Sequence, residues 1–488
     1  MNWTIPDQRS GYYAQFMASP PRFQKHFKAE PNKMNIRHVF GKRIGFIFII
    51  FAFATLLLCC GDNETQVSKK APEKQKTKVP PQSNTVQIDL WTHSGAGGEV
   101  KVLRQFIEQF NAQQDDIRVK IIELPEADYS KQVEMGAFRA GIVGDLPCIL
   151  DFDGPYASNY AWNGFLTPLD DFISDETKKD FLPSILAQGT LQDGKLYCLS
   201  QMESGLAIWA NKVYLEKAGV RLPTVAKPWK REEFEDILSR LQALPEVEYA
   251  LDMKMNYGMG EWFPYAFSPI LQGFGADLID RRDYLSSEGV LNGVKAVAAM
   301  KKVQGWFKKG YVDANTTSDT DFVDGKTALS WAGNWVFNTY NDKLGDNLLL
   351  LPMPDFGTGP KTGMGSWNWG ITSTCKKPDA AWRALEYLLE PEQVLRISNA
   401  AGAIPARLSV LERSKLYAPG KMLHLYVEQF QAGFAVPRPI TPAYPKISQA
   451  FSEAFYNIVH GADVKSELDK AVQTIDEDIR ENEGYKLK

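Results

Sequence analysis

Residues 85–124 read TVQIDLWTHSGAGGEVKVLRQFIEQFNAQQDDIRVKIIEL, and this stretch decides the fold. Val86, Ile88 and Leu90 alternate with polar residues, the period of a half-buried strand. A Gly-rich turn, His93-Ser94-Gly95-Ala96-Gly97-Gly98, then opens a helix in which Leu103, Phe106, Ile107 and Phe110 fall at i, i+3, i+4 and i+7 on one face. VKIIEL is the next strand. Strand, glycine turn, helix, strand is a βαβ unit and predicts a parallel sheet. Free N–H groups at such a turn could cradle an anion. The turn has neither GxGxxG spacing nor a GK[ST] end, so a plain tight turn is the default.

Working outward, strand-like runs (CILDFD, KLYCLS, LAIWAN, ALSWAG, NLLLLPM, WGITST) alternate with helical ones (REEFEDILSRLQAL, NGVKAVAAMKKVQGWFKKG, DAAWRALEYLLE, ISQAFSEAFYNIVHG). That alternation predicts an α/β architecture from residue 86 to the C-terminus. The 488 residues suffice for about three domains at roughly 100–200 residues each. An apolar share of 44% and a charged share of 23% exclude a wholly disordered, collagen-like or multi-span membrane chain. Of 55 basic and 59 acidic side chains, residues 1–43 hold eight and two and residues 44–85 five and three, leaving 42 and 54 beyond. The net charge of −12 on residues 86–488 repels nucleic acid and anionic membrane, so no nucleic-acid partner is expected.

The N-terminal basic charge has another meaning. Ile44 to Leu58, IGFIFIIFAFATLLL, is uncharged, preceded by Arg37, His38, Lys42 and Arg43 and followed by Cys59-Cys60-Gly61-Asp62. A basic region, an apolar run and a cleavage-like site form an export signal. Leu57-Leu58-Cys59-Cys60-Gly61 resembles a bacterial lipobox, in which a lipid-modified Cys becomes the first mature residue. Cys60 is preferred over Cys59 because it places Leu57 at −3 and the smaller Cys59 at −1. An uncleaved membrane anchor is the alternative. Either way the body stands outside the cytoplasmic membrane, on the periplasmic side if there are two membranes. Residues 1–33 read as a non-native upstream extension, with Met34 as the true start, 34–59 as signal peptide and 60–85 as a Lys- and Pro-rich tether.

Cys148, Cys198 and Cys375 remain, an odd number that leaves at least one thiol free. Cys148 and Cys198 sit in strand-like runs and could pair, but buried free thiols are the expectation. His93, His424 and His460 show no HExxH or HxH pairing, and no GxSxG elbow occurs. No metal, cofactor or catalytic residue is therefore assigned, and the chain is expected not to be an enzyme.

Tryptophan carries more information. Several indoles lie beside glycines and amides: Gly260-Glu261-Trp262, Gly333-Asn334-Trp335 and Gly365-Ser366-Trp367-Asn368-Trp369-Gly370. Such indoles suit flat platforms for sugar rings, with neighbouring polar groups for the hydroxyls. Core packing competes for each of them singly.

The order of motifs resembles the family 1 extracellular solute-binding proteins of ABC importers, the maltose-binding-protein-like group, in the lipoprotein form. Gly144-Asp145-Leu146-Pro147 before Cys148-Ile149 is similar to G-x-x-P-D-[VI], with Cys148 in place of the Asp. Gly164 to Asp171 (GFLTPLDD), Asp193 to Tyr197 (DGKLY), Phe322 to Leu329 (FVDGKTAL) with Gly333-Asn334-Trp335, and Gly402 to Arg407 (GAIPAR) match further motifs in order. The resemblance implies a two-lobe periplasmic-binding-protein-like fold with a hinge and a cleft between lobes. One lobe would be 86–203 plus 354–403, the other 204–353 plus 404–488. It implies capture of a small solute, most simply a mono- or oligosaccharide, by hinge closure and delivery to ABC permease subunits, by a monomer held to the membrane through its N-terminal lipid.

Carried over motif by motif, the ligand-binding set is His93, Glu99, Asp153, Glu203, Trp262, Asn334, Trp335, Trp367, Trp369 and Arg407. Glu99 competes with a role as helix-dipole partner, and Arg407 with one in a structural ion pair or at the hinge. Two other classes stay open: a lipid-anchored glycoside hydrolase, which needs two carboxylates roughly 5–10 Å apart, and a module signalling ligand occupancy to a membrane receptor. The lipobox reading predicts a mature chain that begins at acylated Cys60, which mass spectrometry of its N-terminal peptide checks; a free Met34 or an internal cleavage elsewhere would overturn it.

Overall fold

The alternation at the start of the body becomes strand β1 (Val86–His93), with Ile88 and Leu90 wholly buried. The computed structural model describes residues 85–95, 98–125, 133 and 146–486. The upstream extension, the signal, Cys59, Cys60 and the tether to residue 84 lie outside the described residues, as do Gly97, Gly144 and Asp145. The helix Glu99–Gln113 buries Leu103, Phe106, Ile107 and Phe110, the face its spacing defines. Each such side chain contributes about 1.5–3 kcal/mol by leaving water. Asn111 ends this face by pairing both main-chain groups of Val119 at 2.8 Å, which ties the helix to β2 (Ile117–Leu124).

β3 (Ile149–Asp153) and the short β4 (Leu166–Thr167) follow, and β1 runs parallel to both β2 and β3. The chain then passes through β5 (Met202–Glu203) into a second sheet of β6 (Leu206–Asn211), β7 (Tyr249–Asp252), β8 (Thr327–Gly333) and β9 (Leu348–Leu351), ordered β7-β8-β6-β9. It returns through β10 (Thr362–Met364) to β11 (Trp367–Thr372), which inserts between β3 and β4, antiparallel to both. The first sheet is thus β2-β1-β3-β11-β4, a mixed sheet rather than the parallel one the βαβ unit predicts. The reason is topological. β11 arrives from the other sheet instead of over a helical crossover, so it enters from the opposite end.

Two short ladders join the passages between sheets: β5 with β12 (Ile404–Pro405), and β10 with β13 (Ala435–Pro437). Strands β6 and β8 are buried along their full lengths, under helices Trp262–Gly273, Val294–Lys308, Tyr444–Val459 and Val464–Glu481. Trp209 on β6, Trp331 on β8 and Trp229 in the same core are buried indoles: Trp209 donates to Gly333 O, Trp229 to Arg221 O and Trp331 to Ala266 O, at 3.0–3.2 Å. A buried indole N–H needs such an acceptor. No helix among the described residues is long and apolar enough to cross a membrane.

The cysteine expectation is corrected. Cys148 and Cys375 form a disulfide across 227 residues, while Cys198, the third cysteine among the described residues, is a buried free thiol whose pKa burial pushes up. Cys148 precedes β3 and Cys375 follows β11, and the pairing of Ile149 with Ile371 brings the two ends together. Closing so long a loop constrains the unfolded chain. Reduction, or Cys375→Ser, is expected to lower unfolding free energy by about 2–4 kcal/mol. Thermal melts with and without reductant check this, and identical midpoints would contradict it.

Candidate functional site

Both sheets aim their carboxyl edges at the passages that join them. On the first, His93 ends β1, Asp153 ends β3, and Trp367 begins β11 as the direct partner of Asp153. On the second, Asn334 and Trp335 follow β8, and residues 253–262 follow β7. The carboxyl edge of an α/β sheet is where ligands are commonly bound.

The first edge is an aromatic step fixed by acids. The His93 ring lies flat on Trp367, with centroids 3.6 Å apart and planes 8° from parallel. Its Nδ1 is 2.7 Å from Asp151 Oδ2, a buried carboxylate that also accepts from Thr92 Oγ1 at 2.7 Å. Glu99 Oε1 stands 4.0 Å from His93 Nε2. The second edge is an aromatic wall. Trp262 meets Trp335 and Tyr257 edge to face, at 5.9 and 5.1 Å, and Tyr265 lies 6.0 Å from Trp335. Trp262 Nε1 donates to Met253 O and Trp335 Nε1 to Tyr257 OH. The indoles are oriented by hydrogen bonds, and both stay only partly buried.

Arg438, just past β13, joins the two edges. Its guanidinium is 3% exposed and grips Asp153 with two bonds of 2.6 Å, while Nη1 also reaches Glu261 at 2.5 Å. Glu261 accepts further from Tyr444 OH and from Ser448 Oγ. Burial pushes the Glu261 carboxyl up, and Arg438 opposes that. The guanidinium also stands 4.9 Å from the Tyr265 ring centre. Next to it, Gly365 holds φ +112°, and a Cβ there would approach Gln188 Oε1 to 3.0 Å and Arg438 Nη2 to 3.1 Å. Only glycine suits that conformation and that spacing.

Of the residues expected from sequence, His93, Glu99, Asp153 and Trp367 gather at the first edge, and Trp262 and Trp335 at the second. Four others are placed differently. Glu203 is wholly buried: Oε1 accepts from Ser204 N and Gly365 N at 2.9 and 2.7 Å, and Oε2 from Gln188. It fastens two passages together instead of facing an opening. Asn334 is likewise buried, accepting from Gly205 N and donating to Gly402 O. Trp369 is 5% exposed, bonded to Gln201 and covered by the Leu199 segment, so it is a core residue. Arg407 pairs with Asp180, lies over Phe181 and donates to Leu389 O, which is the structural ion pair set against its ligand role.

Missed altogether were Asp151, Tyr257, Glu261, Tyr265 and Arg438. Only Tyr257 and Glu261 carried a usable signal, lying in the same Gly-flanked run as Trp262. Among the described residues, no cluster of His, Cys, Asp and Glu is arranged to hold a metal ion.

Residues 105–422 match the family described as bacterial extracellular solute-binding protein. A maltotriose-binding protein of Pyrococcus abyssi is 20% identical over 339 residues, 67% of each chain. A cyclic alpha-maltosyl-1,6-maltose binding protein of Arthrobacter globiformis superposes with a TM-score of 0.65 at 23% identity, over 81% of this chain and 100% of that one. An ABC substrate-binding protein of Listeria monocytogenes in complex with cycloalternan superposes with a TM-score of 0.69 at 19% identity, over 81% and 99%. The architecture is the two-lobe periplasmic-binding-protein-like fold.

Burial raises the pKa of Glu203 against the hydrogen bonds from Ser184, Ser204 and Gly365. A carboxyl with a raised folded-state pKa costs stability as pH climbs from its unfolded pKa through its folded one. In Glu203→Gln the new amide can donate to Gln188 Oε1, which lacks a partner among the described residues, once that amide turns over. The variant's melting temperature relative to wild type is expected to be near zero at pH 4 and to rise towards pH 8. A pH-independent difference would contradict the assignment.

Proposed function

The chain belongs to the bacterial extracellular solute-binding proteins, and from that premise we propose that it captures a small saccharide between two lobes and delivers it to an ABC permease. The lobes are residues 86–203 plus 354–403 and 204–353 plus 404–488, tethered by lipid on Cys60 through residues 60–85. The observation that carries the saccharide reading is the aromatic wall of Trp262 and Trp335 on the second edge, together with the His93–Trp367 step on the first. Indoles with hydrogen-bonded edges and partly open faces suit the C–H faces of sugar rings. Glu99, Asp153 and Glu261 supply acceptors for hydroxyls, while the excess of carboxylates over Arg438 disfavours anionic solutes.

Binding works by differential affinity. Contacts made from both edges at once exist only when the lobes are closed, so the ligand shifts the open–closed equilibrium by that difference. The permease then reads closure, and no bond in the ligand is made or broken. The hydrolase alternative is disfavoured by Arg438. Asp153 and Glu261 are both bound to it, which leaves neither poised to protonate a leaving group.

The full chain, held in a sugar-free detergent, is titrated with neutral oligosaccharides, polyols and sugar phosphates while Trp fluorescence and product formation are followed. Saturable change with a neutral saccharide recovered intact is the expected result. Trp335→Ala is expected to weaken that binding about tenfold to a hundredfold, roughly 1.4–2.8 kcal/mol. Preference for a sugar phosphate, or turnover of the ligand, would refute the reading.

A further inference from the structure

The corner after β7, Asp252-Met253-Lys254-Met255-Asn256-Tyr257, contains a lysine with no exposure at all. Lysine is almost never fully buried without a partner. Lys254 also holds φ +53°, a left-handed conformation that costs a non-glycine residue energy unless its surroundings impose it. The surroundings are ionic. Its Nζ donates to Asp319 O at 2.9 Å and Asp319 Oδ1 at 3.0 Å, and stands 3.1 Å from Asp252 Oδ2. Its own N–H donates to Asp252 Oδ1 at 2.7 Å. The rings of Tyr340 and Tyr257 flank the ammonium at 5.5 and 6.0 Å. Burial opposes the charge, but Tyr340, Asp252, Tyr257 and Asp319 together keep the lysine's pKa above its ordinary value.

Both indoles of the wall hang on this corner. Trp262 donates to Met253 O at 3.1 Å, and Trp335 to Tyr257 OH at 3.2 Å. Tyr257 in turn donates its N–H to Lys254 O at 3.1 Å. One side chain therefore stands behind two acceptors that set two ring planes. We propose that Lys254 is a positioning residue for the aromatic wall: its buried ammonium clamps the 252–257 corner and so fixes the planes of Trp262 and Trp335 before ligand arrives. Wall preorganisation lowers the ordering cost of binding. The proposal rests on the reading of that wall as the ligand face. Asp319, 62% exposed, is the outer jaw of the clamp and can be altered without stranding a buried charge.

The test uses the full chain and two readouts. The near-ultraviolet circular dichroism of each background, wild type or variant, minus that of the same background carrying Trp335→Phe isolates the Trp335 band without any ligand. In Lys254→Met that band is expected to fall by at least half while the far-ultraviolet spectrum is retained, with Lys254→Arg restoring part of it. Asp319→Asn is expected to shift the band in the same direction by a smaller amount. With maltotriose as probe, Lys254→Met is expected to bind at least tenfold more weakly than wild type. An unchanged Trp335 band in Lys254→Met overturns the proposal, and if that variant does not fold, an unchanged band in Asp319→Asn does so. If wild type binds no saccharide, the functional reading fails by itself, and the ligand-free band still decides whether Lys254 orients the wall.

Discussion

A single guanidinium holds the two halves of the site in register. Arg438 grips Asp153 at the end of β3 with both terminal nitrogens and shares one of them with Glu261, at the head of the helix that carries Trp262. Planar guanidinium geometry makes the Asp153 contact bidentate, which constrains angle as well as distance. Few other contacts could align the His93–Trp367 step with a wall on a different sheet. The arrangement is also demanding, since three carboxylates including Glu203 lie about one cation in a poorly solvated place. Buried groups of that kind stabilise little in themselves and specify geometry more than strength.

Around that pair the site is layered. Aromatic faces form the inner surface, hydrogen bonds to the indole edges orient them, and the ion pairs of Lys254, Asp252 and Asp319 stand behind. On the first edge, Asp151 does for His93 what Lys254 does for Trp335, with Thr92 holding the acid in place. On both edges an aromatic ring is thus backed by an ionisable group one layer behind it.

The first βαβ unit was legible because its signal is local. Leu103, Phe106, Ile107 and Phe110 define a helix face from spacing alone, and Asn111 sits where the helix must meet the next strand. The Cys148–Cys375 pairing was hidden because it depends on which strands are neighbours, and β11 is separated from β3 by the whole second sheet. Glycine-flanked tryptophans pointed to the wall, yet spacing could not separate Trp367 at the edge from Trp369 beneath the Leu199 segment. Glu203 looked available in sequence because the backbone N–H groups that occupy it belong to distant passages. Arg438 and Lys254 were illegible for a shared reason: an isolated basic residue gives no sign of being buried until the acids that face it are assembled.

The place of β11 has a consequence for how this chain comes into being. The first sheet needs its fourth neighbour in line, yet that strand is translated only after the whole second sheet. While the ribosome is still making the second sheet, the hydrogen-bonding edge of β3 has no occupant, and the apolar surface around it is uncovered. Sheets completed by such distant pairings assemble slowly and expose sticky edges meanwhile. The family is extracellular, and on any route that carries a chain across a membrane unfolded, the late strand and the thiol beyond it would arrive before the edge must close. What is a hazard for a protein that folds as it is synthesised is none for a chain that folds only after such a crossing.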